Sequence, residues 1–341
     1  MEQKIKPLSL SETLRAFEKS LGFKNEIKWP SFIAITLYHI IGVYWCYYFA
    51  FPVKWQTLVF ALIMYVASGF GITGGAHRLW THRAFKVNTP LKLFFLLCFA
   101  SAGQNSLYQW VRDHRIHHKF SDTEADPHNA NRGLFFSHIG WLMMKKNEEV
   151  LLRGKQIDMS DIENDPILRF YDRHFGLFKL IFCYILPTMI GVWLWEENWK
   201  CAVAWQCFIR FLSMFHSELT VNSLAHTFGY KPYNKNIVPA ENRFVSICTL
   251  GEGWHNYHHA FPFDYKAAEH FDLFNFGTWF IRFFEKIGWA YDLREATPEM
   301  INSIAKRLGD GTPIHFPLPE VPSEKEERTL GLSRNCNKVL C

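Results

Sequence analysis

The chain has no CxxC pair, and its eight cysteines form no framework. Cys46, Cys98, Cys183, Cys201 and Cys207 sit in apolar segments, the pattern of small packing residues in a reducing compartment. A disulfide scaffold and a thiolate metal site are thereby excluded. Cys336 and Cys341 end the sequence, but Lys338 stands where a prenylation box needs cysteine. No GxGxxG run follows a strand-like segment, which excludes an internal nicotinamide or flavin site. There is no haem-binding HPGG segment and no repeat of solenoid period. The net charge is only +5, and no basic–aromatic recognition motif occurs, so nucleic acid is excluded as a partner.

Charge is also missing from two long runs. Ser31 to Phe51 is 21 residues without a charge, and Trp55 to Ala76 is 22. About 20 apolar residues cross the hydrocarbon core as a helix, so both qualify as spans. The first is too long for a signal peptide and follows a polar 30-residue leader with no cleavage-type site. A third candidate covers about 178–195 and is broken by Pro187. A fourth, about 201–221, is poor on hydropathy because it carries Arg210, His216 and Glu218. The leader holds six Lys/Arg, whereas the linkers around Lys54 and Lys200 hold one each. Positive-inside bias then puts the leader, residues 77–175 and the C-terminal third in the cytosol, which four spans satisfy and three or five do not. The expected fold is an all-α integral membrane protein. Its cytosolic leader is 1–30, and its single domain of 31–317 has four spans and a helical cap made of 77–175 and 222–317. Residues 318–341 read as a disordered tail.

What the chain has in excess is histidine, 16 in all. "DHRIHHKFSDTEADPH" carries His114, His117 and His118, and "GEGWHNYHHAFP" carries His255, His258 and His259. Residues i, i+3 and i+4 share a helix face, so each trio makes a compact cluster. "HRLWTHR" places His77 and His82 just past the second run. Their i, i+5 spacing does not share an α-helical face, so the helix is expected to end between them. His226 follows the fourth run. Neutral imidazole is the commonest transition-metal ligand, and nine histidines exceed one coordination sphere. They suit two metals with four or five ligands each. A shared site also forbids Leu91–Tyr108 from spanning, since it would strand His77 and His82 across the bilayer from His114. His39, His128, His138, His174, His270 and His315 read as packing or surface residues. His216, beside Glu218 inside a span, points to function as an intramembrane ionisable pair.

These three boxes with their flanks resemble those of the membrane acyl-CoA desaturases of the stearoyl-CoA type, over roughly residues 27–317. The resemblance implies a cytosolic cap with two ferrous ions. Carried over by position, one would be held by His77, His82, His114, His118 and His258. The other would be held by His117, His226, His255 and His259, with Asn222 reaching it through water. Asp113, Asp122, Asp126 and Glu252 are the local carboxylates expected to orient the imidazoles. The resemblance further implies a cis double bond, most readily at the delta-9 position, introduced into long-chain acyl-CoA with O2. Electrons would come from cytochrome b5 and its NADH reductase, at the endoplasmic reticulum membrane, with both termini cytosolic.

By the same resemblance, Arg112, Asp113, Lys145 and Lys146 would bind the coenzyme A head. Gln104, Asn105 and Trp110 would line the acyl tunnel at the thioester and the bend, and Tyr65 and Gly69 would close its far end. Two departures stand out. Ser31 occupies a position where similar enzymes often have Asn, and Glu218–Leu219 occupies one where they often have Thr-Trp. Two alternatives carry the same boxes: a related hydroxylase or a desaturase of other regiospecificity or lipid-linked substrate, and a non-enzymatic zinc protein. The second is opposed by the absence of thiolate ligands, on which structural zinc sites usually draw.

Overall fold

The computed structural model describes residues 9–269 and 274–314. His270, His315, the first eight residues of the leader and the 318–341 tail lie outside the described residues. The chain is mostly helical, with one two-stranded antiparallel ribbon pairing Lys86–Val87 with Ala290–Tyr291.

Among the described residues, three helices are long and apolar enough to cross a membrane: Trp29–Phe49, Trp55–Thr81 and Phe175–Trp195. The first opens with Pro30 in its first turn, where a missing N–H costs nothing. Ile40, Val43, Tyr44 and Tyr47 on it stay exposed, a face suited to lipid rather than water.

Residues 199–223 form a further continuous helix, too polar to count by hydropathy. The ends of its one mid-helix guanidinium are nonetheless received inside the protein. Arg210 is 2 % exposed and donates to the Ser101 carbonyl at 2.6 Å and to the Cys183 carbonyl. His216 does not pair with Glu218. It bonds His39 at 2.9 Å and His138 at 3.0 Å, joining this helix to Trp29–Phe49 and to the 136–140 turn. The adjacent sequence positions point apart, as neighbours on a helix do.

The second long helix does not end between His77 and His82. It is α-helical from Trp55 to Phe70 and widens into a π-helix over Gly71–Thr81. The His82 N–H donates to the His77 carbonyl, five residues back, at 3.1 Å. In this wider turn i and i+5 do share a face, and the two rings lie 4.8 Å apart. Glycine permits the segment's close packing: a Cβ on Gly71 would fall 2.2 Å from the Phe99 backbone nitrogen.

That neighbour is helix Thr89–Ala102, capped by Asn88 and stopped by Gly103 at φ 68°. At 14 residues it is about 21 Å long, short of the ~30 Å hydrocarbon core. Phe95 and Phe99 bury one side of it while Leu93, Phe94 and Leu97 stay exposed. Ser106 then caps helix Leu107–Phe120, which brings the trio His114, His117 and His118 back beside the pair His77 and His82.

Candidate metal centre and substrate cavities

The nine box histidines arrive from the π-helix, from Leu107–Phe120, from the turn after residue 223 and from the short helix His255–Ala260. They sort into two groups whose nitrogens lie within 4.8 Å of one another: His77, His82, His114, His118 and His258, and His117, His226, His255 and His259. Each trio is therefore split between groups. His114 and His118 face one, and the intervening face of the same helix sends His117 to the other.

Carboxylates fix three of the rings. His77 Nδ1 lies 2.9 Å from Glu252 Oε2, His117 Nδ1 2.9 Å from Asp126 Oδ2, and His226 Nδ1 2.9 Å from Asp122 Oδ2. A carboxylate only accepts, so each Nδ1 carries the proton and each Nε2 turns a lone pair inward. Those lone pairs meet others. Nε2 of His77 is 2.9 Å from Nε2 of His258, and Nε2 of His226 is 3.0 Å from Nε2 of His255. Nitrogen lone pairs so crowded repel unless a cation lies among them. An all-imidazole donor set with oriented rings thus fits a borderline transition metal in each group.

Burial, then the neighbouring rings, push the pKa values of His82, His114, His118, His255, His258 and His259 well below the usual histidine range. These rings are neutral at physiological pH, the form that binds metal. Burial disfavours charge on His117 as well, but Asp126 outweighs it and raises the pKa.

Glu252 is held by more than His77. Arg78 is almost wholly buried and donates to Glu252 Oε1 through Nε at 3.0 Å and Nη2 at 2.7 Å. Its remaining donors reach the Tyr265 carbonyl, Thr278 and Asn275. Burial alone would raise the Glu252 pKa, but Arg78 and His77 hold it at about 2. Arg78 went unread in the sequence, although its place inside "HRLWTHR" was the available signal.

His128 was read as a packing residue. It is buried with its ring centre 4.3 Å from that of His117, and burial with His117 nearby pushes its pKa to about 3. A ring nitrogen of His128, one of His117 and a carboxylate oxygen of Asp126 make a third close group. Asp126 is already engaged there: Oδ2 also accepts from the Asp122 N–H and Oδ1 from the His128 N–H. The arrangement is that of a buttress for His117. Asp113, the fourth expected carboxylate, touches no imidazole nitrogen and instead pairs with Lys146 at 2.5 Å.

Two cavities meet beside this centre. The inner one, narrow at about 60 Å³, is lined by His77, His114, Trp110, Gln104, Asn105, Asn222, Thr73 and Gly69. Trp110 stacks on His114 at 4.9 Å. Of the two residues expected at the far end, Gly69 lines the cavity and Tyr65 does not. The Tyr65 hydroxyl donates to the Cys248 carbonyl at 2.6 Å, and Leu250, also outside the lining, stands against Gly69. The outer cleft, about 710 Å³, is lined by Ser31, Gln104, Asn105, Arg112, Asp113, Lys145 and Lys146 together. Lys28 and Lys179 join them, two cations the sequence reading did not single out. Gln104 and Asn105 border both spaces.

Comparison with known proteins agrees with this geometry. The fatty acid desaturase family profile matches residues 53–292. A 291-residue match at 47 % identity joins the chain to an acyl-CoA Delta-9 desaturase of Acheta domesticus, covering 85 % of this chain and 81 % of the relative. An acyl-CoA Delta(11) desaturase of Spodoptera littoralis is also 47 % identical, over 85 % of this chain and 86 % of its own length. The stearoyl-CoA desaturase of Homo sapiens is 43 % identical, over 84 % and 80 %. With helices fit for a membrane, histidine groups fit for metal and matches spanning most of its length, the chain belongs to the fatty acid desaturase family, and it is an oxidoreductase.

Proposed function

We propose that this enzyme introduces a cis double bond into long-chain acyl-CoA, most readily at the delta-9 position. The observation that carries this reading is the junction of two unlike cavities at the histidine centre. A cationic cleft suits the phosphates of a coenzyme A head. A narrow, largely apolar cavity suits an acyl chain led past the metals. The relatives named above differ in double-bond position, so the product analysis below is what decides the position.

Two irons, one in each histidine group, fit the site; Asn222 would support the four-histidine group through water. When bound they supply O2-dependent removal of hydrogen from an unactivated methylene, work outside the reach of side-chain acid–base chemistry. The remaining tasks fall to the chain. Glu252, Asp122 and Asp126 hold His77, His226 and His117 in one tautomer. Arg112, Asp113, Lys145 and Lys146 draw in and seat the head group. Gln104, Asn105 and Trp110 fix the thioester end and the bend, and the wall at Gly69 and Leu250 limits depth.

The 199–223 helix serves as a fourth crossing, which keeps every histidine box on the cytosolic side of the endoplasmic reticulum membrane, with both termini there. Electrons reach the centre from cytochrome b5 and its NADH reductase, the acidic donor being drawn to a basic face. Expression in desaturase-deficient cells tests the reading. New monounsaturated fatty acid with its double bond at carbon 9 is the expected product. A hydroxylated product, or none at all with full iron loading, overturns it.

A further inference from the structure

The leader carries a short helix, Leu10–Ser20, capped by Ser9. Leu10, Leu14, Phe17 and Leu21 recur at i, i+4, i+7 and i+11, which puts all four on one face of it. That face is open: Leu10 is 77 %, Phe17 53 % and Leu21 59 % exposed. Glu12, Arg15 and Lys19 take the opposite face. A stripe of leucine and phenylalanine backed by charge is the pattern of a helix that lies in a membrane surface.

Two anchors decide what meets the stripe. Only residues 22–28 separate Leu21 from Trp29, where the first membrane-long helix begins. Glu18, buried at the flank of the stripe, accepts from Trp29 Nε1 and from Arg15 Nη1, both at 3.0 Å. Arg15 Nη2 also donates to the Lys24 carbonyl at 2.8 Å, so the link between the two helices is held close. The stripe is therefore pinned beside the end of a lipid-crossing helix, at the level where tryptophan meets headgroups. The same link touches the cleft. The Lys28 N–H donates to the Met143 carbonyl and the Lys145 N–H to the Glu26 carbonyl, both at 2.8 Å, and Asn25 Nδ2 donates to the Lys145 carbonyl at 2.9 Å. Lys145 lines the outer cleft.

We propose that Leu10–Ser20 is an in-plane membrane helix. Its apolar stripe sinks into the headgroup layer of the bilayer that Trp29–Phe49 crosses, and the 22–28 link passes that seat on to the rim of the outer cleft. Acyl-CoA is itself an amphiphile that gathers at a bilayer surface, so a rim held at that level meets its substrate where it is concentrated. The inference rests on Trp29–Phe49 as a crossing and, for the rim, on the cleft as the coenzyme A site.

The test uses the full chain in lipid nanodiscs, with a photoreactive benzophenone analogue of phenylalanine placed at position 17, 19 or 43. Val43 is exposed on the crossing, and Lys19 lies opposite the stripe. Cross-links to lipid are expected from 17 and 43 and not from 19. Lipid at 43 with none at 17, equal lipid at 17 and 19, or a link from 17 to this chain or a second copy overturns the in-plane helix and leaves the crossing standing. Lipid at 17 with none at 43 supports the surface helix while overturning the crossing. These links need no turnover, so a chain that desaturates nothing still answers for the helix. The rim is tested by kinetics. Phe17 and Leu21 are more than half exposed, so Phe17→Glu with Leu21→Glu disturbs little packing. That double variant should raise KM for stearoyl-CoA several-fold with kcat unchanged, and Phe17→Leu, which keeps the stripe apolar, should match wild type. An unchanged KM in the double variant overturns the link to the cleft.

Discussion

The inner cavity and the outer cleft both border ionisable side chains, yet they use them oppositely. Around the inner cavity the groups are buried and locked to one another. Glu252 joins His77 and Arg78, and Asp126 joins His117. In the cleft the charges stay reachable, as in the Lys145–Glu26 pair, whose side chains are 56 % and 45 % exposed. Water screens such a pair, so it attracts without holding a geometry. The contrast separates tasks: the inner groups set what happens to the chain, and the outer ones set how readily it arrives.

The largest effect is expected deep inside. His258→Ala removes a ring whose Nε2 sits between those of His77 and His118, at 2.9 and 3.0 Å. Double-bond formation is lost and bound metal falls, while membrane insertion survives. Metal analysis of the purified variant beside product chromatography checks this, and full metal content with normal product would refute the ligand role.

One shell out, Glu252→Gln frees the His77 tautomer and leaves Arg78 buried without its carboxylate. Metal affinity should fall about 10–100-fold. Titration of the metal-free protein with ferrous ion reads it directly; an unchanged affinity would make Glu252 a support for Arg78 alone.

At the cavity's end, Gly69→Ile should shift use from 18-carbon toward 16-carbon or shorter acyl-CoA. Even a bare Cβ there meets Leu250 Cδ1 at 2.3 Å, so a leucine tip must move and the depth shrinks. Competition among chain lengths decides, because an equal loss on all of them would mean disturbed helix packing. Leu250→Ala, which removes the side chain nearest Gly69, should relax the length limit more than Tyr65→Ala, whose hydroxyl is tied to the Cys248 carbonyl.

The smallest effects belong to the cleft, and there the two lysines should differ. Lys146 is 25 % exposed and paired with buried Asp113, so Lys146→Glu should raise KM several-fold with little change in kcat. Lys145→Glu should do less. Burial pushes the Lys146 pKa down although Asp113 opposes this. Its cation is present below that pKa, so affinity should fall as pH rises through a value lower than an ordinary lysine's. A pH series of KM on wild type and Lys146→Arg checks it, and identical profiles would remove Lys146 from phosphate binding.

How much of this could be read beforehand follows the same inner–outer division. Histidine spacing exposed the metal centre, because i, i+3 and i+4 keep three imidazoles close together, but the split of each trio between two groups was legible only through resemblance. The His77–His82 pair escaped that rule, since a π-turn depends on how tightly Gly71 packs against Phe99. His128 escaped it too, because a lone histidine acquires meaning only from Asp126 and His117 beside it. The cleft cations were legible through resemblance, but not Lys28 or Lys179, which lie on separate helix ends and meet only in space. Hydropathy ranks the 199–223 helix poorly because it counts Arg210 as a bare charge and knows nothing of the carbonyls that receive it.

That arginine has a consequence for how the protein is made. A guanidinium at mid-helix opposes partition into a bilayer by about 2.5–3.5 kcal/mol on insertion scales. The acceptors that relieve it, the carbonyls of Ser101 and Cys183, lie on two other helices. One of them, Phe175–Trp195, immediately precedes 199–223 across a three-residue link. If 199–223 is the fourth crossing proposed above, it would be a poor solitary passenger at the translocon: it would enter as the second arm of a hairpin, and its seat would be secured only when the short helix from Thr89 closed beneath it.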